Sequence, residues 1–142
     1  MIIDQAKTYR DKIIELLAAE KLPVDDLPET LDNFIVAIQD GEVIGIGGVE
    51  VYAKYGLLRS LAVHPEHRKA GIATKLLARL DHISKQKGLS ELYLLTETAA
   101  AYFEQKNYSK IIRDEVPAEV QCSSEFSHVC PVSAIVMKKI IS

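Results

Sequence analysis

The stretch from Leu57 to Leu77 constrains the fold more than any other part of the chain. It reads Leu57-Leu-Arg-Ser-Leu-Ala-Val63, then His64-Pro-Glu-His-Arg68-Lys69, then Ala70-Gly71-Ile-Ala-Thr74-Lys-Leu-Leu77. The first part is an apolar strand, the second a short basic loop, and the third an amphipathic helix starting near Ala70. A helix amino terminus has free backbone N–H groups and a partial positive charge, so it binds anions. Residues Arg68-Lys69-Ala70-Gly71-Ile72-Ala73 fit the pattern Arg/Gln-x-x-Gly-x-Gly/Ala. Gly71 and Ala73 have little or no side chain, which lets a ligand approach the backbone closely. Arg68 and Lys69 add full positive charges beside it. This is a seat for a pyrophosphate; the plain alternative is a solvated basic loop capping an ordinary helix.

Around this segment the apolar spacing divides the chain into short elements. Thr8 to Ala19 has apolar positions at Ile13, Leu16 and Leu17 and reads as a helix with Thr8 as its N-cap. Glu20 to Asn33 carries Pro23 and Pro28, with acidic residues at Asp25, Asp26, Glu29 and Asp32, and reads as a connection with at most a short helical turn. Phe34 to Ile38 and Val43 to Val51 read as strands joined by an Asp40-Gly41 hairpin turn. Gly45, Gly47 and Gly48 lie inside the second strand, where glycine marks a bulge or a close approach. After the basic loop, Ile72, Leu76, Leu77, Leu80 and Ile83 form the buried face of a helix that Gly88 ends. Leu92 to Leu95 is a continuous apolar strand. Thr98 to Lys106 reads as a second, shorter helix, and Tyr108 to Ile112 and Ala134 to Ile140 as strands. The order β-α-(α)-β-β-β-α-β-α-β-β is that of a layered α/β fold with a mixed sheet.

The bulk numbers set outer limits. A chain of 142 residues suggests one domain, residues 1–142. A net charge of −3 argues against a general nucleic-acid binder, whose footprint is basic. No apolar run approaches the length of a membrane span, about 18 residues or more. Met1-Ile-Ile-Asp4 lacks the features of a signal peptide, so the expected location is the cytoplasm. Cys122 and Cys130 are too few for a disulfide framework. With His128 they could offer soft metal ligands on one loop, but ordinary thiols are the expectation, and no metal site is assigned.

The apolar strand ending Leu61-Ala62-Val63, the Pro65 turn and the spaced glycine motif together resemble the GNAT superfamily of N-acetyltransferases. The resemblance implies a GNAT-like mixed, mostly antiparallel sheet with a splayed parallel strand pair and flanking helices. It implies acetyl-CoA as cosubstrate. The loop Arg68, Lys69, Ala70, Gly71, Ile72, Ala73 and Thr74 would hold the pyrophosphate. The strand backbone of Leu61, Ala62 and Val63 would hold the pantetheine arm where Leu57–Val63 and Leu92–Leu95 splay apart. The partner implied is a small-molecule amine acceptor, with no nucleic acid and no membrane. Family members are often dimers, which makes a homodimer the expected assembly.

Acetyl transfer to an amine requires loss of a proton from the amine, stabilisation of the thioester oxygen and a proton for the departing thiolate. Glu50 and Glu97 are candidate bases; the alternative for each is a surface charge. Many family members donate the last proton from a tyrosine in a pattern like Asn-x-x-Ala-x-x-x-Tyr-x-x-x-Gly-Phe. Here Ala99 matches, Asn107 replaces the glycine, and Phe103 stands at the tyrosine position. Tyr102 is the nearest candidate, about 100° round the helix. Arg59 and Ser60 should point to opposite faces of their strand. Arg59 could hold an acceptor carboxylate bidentately, or form a salt bridge with Glu50. His64 and His67 flank the loop and are expected to cap or solvate it.

Three blocks, Leu57 to Val63, Leu92 to Ala99 and Glu125 to Ala134, look like a particular branch, the acetyltransferases encoded in arsenic-resistance operons. That resemblance implies an amino acid or arsenic-containing analogue as acceptor. A second class stays open: a non-catalytic sensor of acetyl-CoA, or of a metalloid through the Cys122/Cys130 loop.

Overall fold

In a computed structural model, residues 1–22, 24–68, 70–123 and 134–141 are described. The elements are β1 (Ile2–Gln5), α1 (Arg10–Ala19), β2 (Phe34–Gln39), β3 (Glu42–Tyr52), β4 (Tyr55–Val63), α2 (Ile72–Gln86), β5 (Glu91–Thr96), α3 (Ala100–Glu104), β6 (Ser109–Ile111), α4 (Ala118–Gln121) and β7 (Ile135–Ile140). The strands form one sheet in the order β1-β2-β3-β4-β5-β7-β6. β4 and β5 pair in parallel, and β1–β2, β2–β3, β5–β7 and β6–β7 are antiparallel. The expected mixed, mostly antiparallel sheet with one parallel pair is therefore present. No helix among the described residues is long and apolar enough to cross a membrane.

Two compact units divide the chain: Met1–Val49 with Arg59–Ile83, and Glu50–Leu58 with Ser84–Ser142. The first has a core of Ile13, Leu16 and Leu17 from α1 packed with Leu27, Leu31, Phe34, Val36, Ile46 and Ala62. The hairpin between β2 and β3 turns as its sequence demands. Asp40 and Gly41 take φ of +52° and +79°, the two positive angles of a type I′ turn. The interior glycines of β3 mark close approach. A Cβ on Gly45 would lie 3.1 Å from Leu76 and 3.2 Å from Ile72, and one on Gly47 would lie 3.0 Å from Leu80. These are apolar residues of α2, so α2 rests directly on the strand face that Gly45 and Gly47 leave bare. Gly48 faces Phe34 across the β2–β3 ladder, and a Cβ there would fall 2.3 Å from the Phe34 ring.

The second unit has its own apolar cluster of Leu57, Tyr93, Val116, Val120 and Val136. The β4–β5 ladder belongs to it and is three pairs long: Tyr55↔Glu91, Gly56↔Leu92 and Leu57↔Tyr93. β5 is paired along its whole length with β7, from Glu91↔Ile140 to Thr96↔Ile135. The N–H of Leu89 donates to Ser84 O and that of Gly88 to Lys85 O. These two bonds are the Schellman closure expected where Gly88 stops a helix.

Several boundaries differ from the sequence reading. Thr8 is not a cap: the Tyr9 N–H donates to Ala6 O in a tight turn, and α1 begins at Arg10 with Tyr9 as an N-cap that makes no side-chain bond. α2 begins at Ile72 rather than near Ala70, because Gly71 is left-handed at φ +76° and cannot be helical. Among the described residues of the α1–β2 connection there is no helix, so the optional second helix is absent there. α3 is shorter than Thr98 to Lys106. The short α4 was not foreseen. Asn107 takes φ +74°, as expected of the residue replacing a family glycine.

Gly48→Val should destabilise the protein by about 1–3 kcal/mol, because Phe34 is itself sealed in the core and cannot yield. Urea denaturation should show a lower midpoint with an unchanged slope; an unshifted midpoint would refute the packing argument.

Candidate active site

The residues at the amino end of α2 are built by three local choices. Pro65–His67 forms one turn of 3-10 helix directly after β4, and His64 Nδ1 accepts the Glu66 N–H at 3.2 Å as its cap. The His64 N–H donates to Ile44 O at 2.7 Å, which ties the start of the loop to β3. The Gly71 carbonyl accepts the Lys75 N–H at 3.1 Å, so Gly71 is the N-cap of α2. The N–H groups of Ile72, Ala73 and Thr74 then fall at the positions that an α-helix cannot pair internally. Gly71 is exposed, and nothing lies within 4 Å of where its Cβ would be. The loop thus offers bare backbone donors, a helix's positive end and open space. Those are the features an anionic diphosphate needs.

Arg68 is the described cation of this loop; Lys69 lies outside the described residues. Arg68 Nε donates to Val63 O at 3.3 Å, and its Nη2 is bonded to the Glu20 carboxylate at the end of α1. On β4, Leu61 and Val63 are half-buried and Ala62 is buried.

Arg59 is more deeply placed than its sequence position suggests. Its Nη1 and Nη2 both reach the Asp26 carboxylate at 2.8 Å, with side-chain exposures of 1% for Arg59 and 8% for Asp26. This bidentate pair fastens the α1–β2 connection to β4. A carboxylate partner of the guanidinium is thus Asp26, a pairing that the sequence did not suggest. The expected alternation of Arg59 and Ser60 also fails. Arg59 Nε donates to Ser60 Oγ at 3.1 Å. Ser60 takes φ +60°, a left-handed residue that breaks the pleat so that the two side chains meet instead of parting.

The other candidates belong to the second unit. Glu50 is half-buried and its Oε1 accepts the Tyr52 hydroxyl at 3.2 Å. Glu97 is exposed in the turn after β5. The Tyr102 hydroxyl is buried and has no hydrogen-bond partner among the described residues. Phe103 is a core residue, its ring edge-on to both Tyr102 and Tyr108 at 5.4 and 5.6 Å. Tyr93 is buried, and its hydroxyl bonds to Glu91. Burial first, then the Glu91 carboxylate, push its pKa well above the ordinary tyrosine value. It stays protonated, a packing residue with a fixed donor. Cys122 is an exposed free thiol. Cys130 and His128 lie outside the described residues, and no cluster of metal-binding side chains occurs among the described ones.

A sequence model of the acetyltransferase (GNAT) domain matches residues 30–110, more than half of the chain. The chain belongs to the GNAT acetyltransferase family. An uncharacterized N-acetyltransferase of Chlorobaculum tepidum is 30% identical over 101 residues, 70% of this chain and 64% of its own length. An amino-acid acetyltransferase of Pseudomonas putida is 31% identical over 94 residues, 65% of this chain and 22% of its own. This chain therefore spans less than two thirds of the length of either GNAT relative. Among solved structures, Rv2747 from Mycobacterium tuberculosis in complex with CoA and NLQ superimposes with a TM-score of 0.82 at 22% identity, covering 99% of both chains. That likeness establishes the GNAT fold.

Two residues that sequence reasoning missed, Glu20 and Asp26, engage the two arginines it had singled out. Acidity in the connection was visible; which carboxylate met which arginine was not. Asp26→Ala should lower stability by about 3–5 kcal/mol, since it removes a bidentate carboxylate from the buried Arg59 charge. The double variant Asp26→Ala/Arg59→Met should recover much of that loss in guanidinium unfolding. Equal losses in the single and double variants would contradict the buried-pair account.

Proposed function

We propose that residues 1–142 form one acetyl-CoA-dependent N-acetyltransferase domain acting on the amine of a small acceptor, an amino acid or an arsenic-containing analogue of one. The observation that carries the proposal is the exposed, left-handed Gly71 at the head of α2, with open space before it and Arg68 beside it. The family match supports the donor, and the printed function of the Pseudomonas relative supports an amino-acid acceptor. The arsenic-containing alternative rests on the resemblance to arsenic-resistance acetyltransferases. The cytoplasm is the expected site of action and a homodimer the expected assembly, with neither nucleic acid nor membrane as a partner.

When bound, acetyl-CoA supplies the acetyl group as a thioester. Arg68, Lys69, Ala70, Gly71, Ile72, Ala73 and Thr74 hold its pyrophosphate, through backbone N–H groups and the two cationic side chains. The backbone of Leu61, Ala62 and Val63 holds the pantetheine arm in the manner of an added strand. Glu50, with Glu97 as the second candidate, accepts the proton that the amine must lose before it attacks. The new N–C bond forms as the C–S bond breaks, directly and without a covalent enzyme intermediate. Tyr102 gives a proton to the departing sulfur; its hydroxyl is buried and has no hydrogen-bond partner among the described residues. Arg59 takes the acceptor's carboxylate by exchanging it for Asp26. One carboxylate for another keeps the buried guanidinium paired, whereas an amine without a carboxylate offers no such exchange.

The test is amine-dependent release of free thiol from acetyl-CoA, screened over amino acids, arsenic-containing analogues, polyamines and antibiotic amines. Carboxylate-bearing amines should give turnover. Glu50→Gln should lower kcat by about 10²–10⁴, the usual contribution of a general base, and Tyr102→Phe should lower it as well. Wild-type protein that binds acetyl-CoA but releases no thiol with any amine would instead favour the sensor reading.

A further inference from the structure

We propose that Glu20 is an internal anion that competes with the coenzyme's pyrophosphate for Arg68 and so sets the affinity for the coenzyme. The inference rests on the coenzyme reading of the α2 loop and adds to it a residue from a different element. Glu20 is the C-cap of α1, and its N–H donates to Leu16 O and Leu17 O. A carboxylate at the carboxyl end of a helix sits at the negative pole of the helix dipole, where it is disfavoured. It is also largely withdrawn from water, with 14% of its side chain exposed against 55% for Arg68. Arg68 relieves both penalties at once by pairing with it.

The consequence falls on the loop. With one nitrogen on Glu20 and Nε on Val63 O, the guanidinium is neutralised by a carboxylate the chain itself carries. Arg68 can lend its full charge to a pyrophosphate only by parting from Glu20. That step leaves Glu20 facing the α1 carboxyl end with no other ion pair among the described residues. Glu20 therefore opposes coenzyme binding twice, by occupying the cation and by the charge it exposes when released. Replacing it with a neutral isostere removes both effects and leaves the α2 amino terminus untouched.

The experiment is calorimetric titration of acetyl-CoA into wild type, Glu20→Gln, Arg68→Gln and the double variant, with thermal melts to show that each is folded. Glu20→Gln should bind about fivefold more tightly than wild type, the scale of a partly exposed ion pair. The gain should vanish in the Arg68→Gln background, because the competition has then lost its object. S-acetylpantetheine, which has no pyrophosphate, should bind wild type and Glu20→Gln equally. Equal or weaker coenzyme binding by Glu20→Gln would overturn the competition, as would a gain that persists without Arg68 or extends to the pantetheine fragment. Wild type that binds no acetyl-CoA would overturn the coenzyme reading itself, an outcome distinct from wild type that binds and a variant that binds no better.

Discussion

The seating of α2 on β3 fixes everything that the loop before it can do. A helix amino terminus attracts anions wherever it lies, but it forms a defined site only if the helix cannot shift. Here Ile72, Leu76 and Leu80 approach the bare backbone of Gly45 and Gly47 at 3.0–3.2 Å from where a Cβ would be. Each of those side chains is buried, and burial of one such side chain contributes about 1.5–3 kcal/mol. The contact begins at the first residue of α2, so the turn carrying Gly71 is anchored by the same packing. The hydrogen bond from His64 to Ile44 O ties the other end of the loop to the same strand. Both ends of the loop between β4 and α2 are thus referred to β3.

The two arginines that precede this anchored turn in the sequence are handled in contrasting ways. Arg59 is deep, bidentate and paired with Asp26, whose position in the α1–β2 connection makes the pair a tether for that connection. Arg68 is half out in solvent and paired with Glu20, so its bond is weak enough to exchange. Burial separates the two: the partly exposed Arg68–Glu20 pair opens at little cost, whereas the Arg59 guanidinium must keep a carboxylate beside it. Ser60 adds a local disturbance between them. Its left-handed backbone interrupts the pleat of β4, C-terminal to the parallel ladder that Tyr55 to Leu57 make with β5.

Much of this was legible in the sequence because local rules act strongly there. The Asp40-Gly41 turn, the glycine closure of α2, the apolar periodicity of α2 and the run Leu92 to Leu95 each have a short-range cause. A glycine turn ahead of the amphipathic helix was legible for the same reason, and Gly71 is left-handed at the head of α2. Long-range pairings were not. Glu20 and Arg68 are 48 residues apart, and Asp26 and Arg59 are 33 apart. No spacing rule connects them. The failure at Ser60 has a different origin: strand alternation assumes extended angles, and a serine gives no warning that it will adopt φ +60°. Phe103 in the core and Tyr102 with a buried hydroxyl depend on how α3 packs, which a five-residue helix cannot announce by periodicity.

The central claim is that the amino end of α2 is the coenzyme's pyrophosphate seat. Calorimetric titration of acetyl-CoA into wild type and Gly71→Glu tests it most directly. The substitution places bulk, negative charge and a strained left-handed side chain at the head of the helix. Micromolar-range binding by wild type, lost in Gly71→Glu while the variant remains folded, is the predicted result. Equal binding by both proteins, or none by wild type, would contradict it.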